Sequence, residues 1–163
     1  MLSRVLVAFD GSTCSQEALK LAALLVEAGC EATVCHVIDY SEPSPFAWLT
    51  PGEEREWSSS EVYRYIDEMI QGEIERNGGG TTRFLTHVLQ GHPADALLEA
   101  AEKLKAEMIV MGSHGRSGLR RAVLGSISEM VTHASRVPVI TVHANEIRAE
   151  APVAFANGLP ARR

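Results

Sequence analysis

Five short runs rich in β-branched and apolar residues punctuate this chain, at 4–9, 31–39, 81–90, 107–112 and 137–143, and helical patterns fill the gaps. Strands separated by helical crossovers do not pair as hairpins; they build a parallel sheet with helices on both faces. The expected order is therefore β-α-β-α-β-α-β-α-β. The first run, RVLVAF, stops at the turn signal Asp10-Gly11. Thr13 and Gln16 then have capping-box spacing, Ala18, Leu21, Ala22 and Leu25 recur at helical period, and Gly29 is a natural terminator. Ser58 and Glu61 repeat the spacing ahead of a stripe of Val62, Ile66, Met69, Ile70 and Ile74, which ends at NGGG, 77–80. Pro93 sits where a first helical residue belongs, before Ala94, Leu97, Leu98, Ala101 and Leu104. Ser126 and Glu129 make a third capping box, with Ile127, Met130, Val131 and Ala134 on one face.

Two segments fall outside this alternation. Residues 41–57, with Pro43, Pro45, Pro51 and Gly52, read as an excursion whose Trp48 and Trp57 either anchor it to the core or face a partner. The tail 144–163 has few periodic positions and is expected to be a mobile or partner-crossing extension. A chain of 163 residues suits one domain with a sizeable core. Its net charge of −6 argues against broad attachment to nucleic acid or to an anionic membrane. No stretch approaches the roughly 18 consecutive apolar residues of a membrane span. The N-terminus runs straight into a strand pattern without a signal-like apolar segment. Cys14, Cys30 and Cys35 show no CxxC spacing, and the expectation is a cytoplasmic protein. The histidines (His36, His87, His92, His114, His133 and His143) show no metal-ligand spacing, so no metal site of the protein's own is expected.

In sheets of this kind ligands bind beyond the carboxyl ends of the strands, where the strand order reverses. Two strand ends look chemically prepared: Asp10-Gly11, and Gly112 at the head of MGSHGRSGLRRAVLGS, residues 111–126. Gly112, Gly115 and Gly125 stand as G-x2-G-x9-G, followed at once by Ser126. Glycine lets a ligand approach the backbone without a Cβ in the way. A helix opening at Gly125-Ser126 turns its N–H groups and the positive end of its dipole toward an anion. Arg116, Arg120 and Arg121 would add positive charge. The competing reading is a solvated loop in which Ser126 is only an N-cap and Glu129 occupies the place of a phosphate. The spacing matches neither a P-loop, nor G-x-G-x-x-G, nor the nucleophile elbow G-x-S-x-G.

These residues carry a resemblance. VLVAFDGS at 5–12, CHVID at 35–39, VMGSHGRSGLRRAVLGSISEMV at 110–131 and VPVITVH at 137–143 resemble the universal stress protein family, in its ATP-binding branch with the G-x2-G-x9-G-[ST] motif. The resemblance spans residues 1–143, read as a single domain, and leaves the tail outside. It implies a five-stranded parallel sheet of order 3-2-1-4-5, Rossmann-like, with ATP in the crevice between strands one and four. Carried over by position, Asp10 contacts the adenosine around its ribose, and the backbone of Val37 bonds the adenine edge. Ala8, where the family often has proline, and Met111 line the pocket. Gly112, Gly115 and Arg116 lie along ribose and phosphates. Gly125, Ser126, Ile127 and Ser128 hold the terminal phosphates, with Mg²⁺ or another divalent ion borne mainly by the nucleotide.

The resemblance also implies a homodimer paired through the fifth strand, Val137 to His143. That agrees with the hazard of leaving so apolar an edge bare. The expected function is a nucleotide-dependent regulatory module in stress response with an unknown protein partner. The alternatives are a slow ATPase or phosphoryl or adenylyl transferase using the same site, and a nucleotide-free scaffold. No catalytic residue is assigned; His114 is the one candidate base in the loop. Replacing Gly112 by valine is expected to abolish binding while largely keeping the fold.

Overall fold

The computed structural model describes residues 2–27, 29–41, 59–76, 84–115 and 124–144. Within them the chain alternates strictly: β1 (Arg4–Ala8), α1 (Thr13–Glu27), β2 (Glu31–Ile38), α2 (Ser59–Arg76), β3 (Phe84–Gln90), α3 (Pro93–Lys103), β4 (Met108–Gly112), α4 (Ser126–Ala134) and β5 (Val139–Val142). All neighbouring strands pair in parallel, in the order β3-β2-β1-β4-β5, as expected. The excursion with Trp48 and Trp57, the cap at Ser58, the turn 77–80, the start of the third run at 81–83, Arg116, Arg120, Arg121 and the tail from 145 lie outside the described residues.

The central strand divides the core by alternation. Val5 and Val7 join Ala18, Leu19, Ala22, Ile70 and Ile74 on the face covered by α1 and α2. Leu6 points the other way, to Ala94, Leu97, Ala101 and Val131 under α3 and α4. A strand buried on both faces reads as a continuous apolar run, which is why RVLVAF shows no polar alternation.

Two helix starts differ from the capping pattern. The cap of α1 is Ser12, not Thr13: its Oγ accepts the Ser15 N–H at 3.2 Å, and its carbonyl accepts the Gln16 N–H at 3.0 Å. In α4 the N-cap is Gly125, and Ser126 is the first helical residue. The reason is long-range. The Ser113 carbonyl accepts both the Gly125 N–H and the Ser128 hydroxyl at 2.7 Å, and this fixes where α4 begins. Val131 is buried on α4, whereas Met130 and Ala134 are exposed, so the expected apolar face is only partly inward. Pro93 opens α3 as expected. Gly29 follows α1 at φ +96°, a conformation suited to glycine, and donates to the Val26 carbonyl at 2.8 Å.

Candidate functional site

β1 lies between β2 and β4, and the chain leaves β1 toward α1 but leaves β4 toward α4 on the opposite face. The strand order reverses there, and the carboxyl ends diverge around a cavity of ≈ 330 Å³. That volume is in the range of small-molecule sites. Ala8 lines it from β1, Asp10 from the turn that follows, Val37 from β2, Met111, Gly112 and Gly115 from β4 and its loop, and Gly125, Ser126, Ile127 and Ser128 from the start of α4. Arg116 lies outside the described residues.

The crevice also takes in residues that the sequence pattern did not single out, among them Phe9, Ser15, Cys35, His36, Asp39, Pro93 and Leu97. Asp39 had a signal, since it follows a strand as Asp10 does. Of the others, Phe9 follows β1, Ser15 is on α1, Cys35 and His36 are on β2, and Pro93 and Leu97 are on α3, a convergence of separate elements that no local spacing records. His114, which the loop reading considered, lines the wall as well.

Asp10 is held by its own turn: Oδ1 accepts the Ser12 N–H at 3.0 Å. A Cβ on Gly115 would stand 2.9 Å from Asp10 Oδ2, so the glycine brings the loop backbone against this carboxylate. Gly112 meets a tighter limit from a different direction. A Cβ there would lie 2.8 Å from the Cβ of Cys14 and 3.0 Å from the Ser15 nitrogen. Valine at 112 would therefore strike α1, and the expectation that the fold would survive that change is corrected by this packing.

At the far wall, hydrogen bonds from the Ser41 hydroxyl, and then from the Ser41 N–H, hold the Asp39 carboxyl below its usual range. Burial pushes the Cys35 thiol up to about 12, so it behaves as a small apolar wall residue. The three cysteines are all free. His36 is buried, and its Nδ1 donates to the Phe9 carbonyl at 2.8 Å.

The positive end of the site is the start of α4. Its N-cap is a glycine in extended geometry with no side-chain cap, and the first N–H groups of a helix have no intrahelical acceptor. Ser126 and Ile127, the first two helical residues, line the crevice. Ser128 does so as well, but its hydroxyl lies 2.7 Å from the Ser113 carbonyl and 2.8 Å from that of Gly125. Its hydroxyl proton is used to hold the loop.

Fold and site together define a doubly wound α/β protein with a ligand-sized crevice at its topological switch point. The sequence model of the Universal stress protein family matches residues 1–143. A universal stress protein of Methanocaldococcus jannaschii is 32% identical over 147 residues, covering 87% of this chain and 82% of that protein. The chain belongs to the universal stress protein family. Among solved structures, a universal stress protein in complex with cAMP superposes with a TM-score of 0.62 at 23% identity, covering 88% of this chain and 98% of that one. One from Archaeoglobus fulgidus in complex with dAMP gives 0.58 at 21% identity, covering 87% and 98%. At these identities the likeness is one of fold.

Proposed function

We propose that the protein binds ATP in this crevice and acts as a nucleotide-dependent regulatory module in stress response. The observation that carries the reading is convergence. Residues from β1, β2, β4 and α4, far apart in sequence, surround one cavity that has an uncapped helix N-terminus at one end. The cAMP and dAMP complexes of two proteins of the same fold support an adenine nucleotide as its occupant.

In this reading Ala8, Met111 and the backbone of Val37 receive the base, and Asp10 meets the ribose. The backbone beside Gly112 and Gly115 passes along the phosphates. N–H groups at the start of α4 take the terminal phosphates, with Arg116 close in sequence. Ser128 contributes by holding the Ser113 loop. Among the described residues no group of three or more His, Cys, Asp or Glu is placed to hold a metal. A Mg²⁺ ion would take its ligands mainly from the phosphates and water.

The module works in the cytoplasm as a homodimer through β5, and the nucleotide alters the surface offered to a protein partner. Among the described residues no helix is long and apolar enough to cross a membrane. Met130 exposes 45% of its surface on α4, which packs beside β5, and this supports pairing on that side.

Ser126→Asp separates fold from binding. A carboxylate at the first position of α4 suits the helix dipole and leaves stability within about 0.5 kcal/mol of wild type. The same charge stands where phosphate binds, so ATP affinity falls at least about tenfold by calorimetry. Unchanged affinity in the folded variant would contradict the site.

A further inference from the structure

Resting on that reading, we propose that Asp39 selects the base: its carboxylate accepts a hydrogen bond from the exocyclic amino group of adenine and disfavours purines that carry a carbonyl there. The crevice has two chemically different ends. β2 and β4 flank β1, so their carboxyl ends stand two strand spacings apart, about 10 Å. The β4 side holds the glycine loop and the start of α4, which suit phosphate. The β2 side is lined by Ala8, Cys35, Val37, Pro93 and Leu97, an apolar slot that suits a base, and by Asp39.

The main chain brings the edge of the base to Asp39. β1 pairs with β2 as far as Ala8 and Cys35, and the Phe9 N–H then donates to the Cys35 carbonyl at 2.9 Å. Main-chain groups along a strand alternate in side, so those of Val37, two residues on, point the same way as those of Cys35. β1 has ended by that level, and Val37 faces the crevice. Ile38 has the opposite sense, its carbonyl accepting the Gly91 N–H at 3.1 Å just past β3. Side chains alternate too. Ile38 is buried in the core under α1 and α2, Val37 packs toward α3, and Asp39 lines the crevice with Pro93 and Leu97 of α3.

Asp39 is half-buried, and its turn engages one of its two oxygens. Oδ1 accepts the Ser41 N–H at 2.9 Å and the Ser41 hydroxyl at 2.6 Å; among the described residues both donors to this carboxylate fall on Oδ1. These bonds hold the group ionised, and a carboxylate only accepts. The adenine amino group brings two N–H donors, one for the main chain of Val37 and one for Oδ2 of Asp39. Hypoxanthine and guanine set a carbonyl oxygen at the same position, acceptor against acceptor. A site built to pair with a donor rejects the analogue that lacks it more strongly than a mismatch of shape does.

Calorimetric titration with ATP and with its hypoxanthine counterpart ITP, on wild type and Asp39→Asn, tests this. The asparagine oxygen still accepts from Ser41, so the turn survives, and the amide nitrogen donates to a carbonyl on the base. Wild type should prefer ATP over ITP at least about fivefold more strongly than the variant does. Equal ATP-to-ITP ratios in the two proteins overturn the inference and leave the nucleotide site standing. Absence of ATP binding by folded wild type overturns the site itself. N6-methyl-ATP, which keeps a single amino N–H, tests the second donor without any substitution. It should bind wild type at least about fivefold more weakly than ATP, and equal affinity refutes the role of Asp39.

Discussion

A Cβ on Gly112 would stand 2.8 Å from that of Cys14, whereas one on Gly125 would meet only ordinary contacts of 3.4 Å or more at φ −75°. The two glycines belong to one signature and answer to different constraints. Gly112 admits α1 against the end of β4. Gly125 is a side-chain-free cap at the helix that opens on the crevice. Gly112→Ala should therefore cost about 1–3 kcal/mol in chemical denaturation. Gly125→Ala should cost no more than about 1 kcal/mol. Equal costs would contradict the packing described. Only the shared spacing is legible in the sequence. Separating the two roles requires knowing that Cys14 faces Gly112 across nearly a hundred residues of chain.

At the scale of elements, the alternation of strands and helices was legible because the strands are runs rich in β-branched and apolar residues and each crossover carries a helical stripe. The ends were less so. α1 starts at Ser12 through a local serine cap, and α4 starts where Ser113 clamps it, a contact that no short pattern encodes. The start of β1 has a similar long-range tie. Ser3 and Arg4 donate their N–H groups to the Glu107 carboxylate just before β4. Chiefly the Ser3 N–H, together with the Arg4 N–H and charge, holds that carboxyl below its usual range. A depressed carboxylate stabilises the fold above its unfolded pKa and loses that effect as pH falls through the folded value. Glu107→Gln should thus lower Tm at neutral pH, and the gap should close below about pH 4. A gap independent of pH would refute the assignment. At the other edge, pairing of β5 with its twin predicts a dimer in sedimentation at micromolar concentration; a 17.7 kDa monomer would rule it out.

For the molecule as a whole, the strand order determines what the crevice is. Placing β1 beside β4 brings Asp10 and the glycine loop together, and α4 adds the positive end of its dipole. Those three features could be read from residues 5–12 and 110–131. The walls supplied by Cys35, His36, Pro93 and Leu97, and the buried Ser113 hub, could not, because they arise from packing between elements. The central claim is that this crevice holds ATP, and calorimetric titration of the purified protein with Mg-ATP tests it most directly. Saturable one-site binding in the micromolar range, lost in Ser126→Asp, is the predicted result. No measurable heat of binding by a folded wild-type protein at millimolar ATP would contradict it.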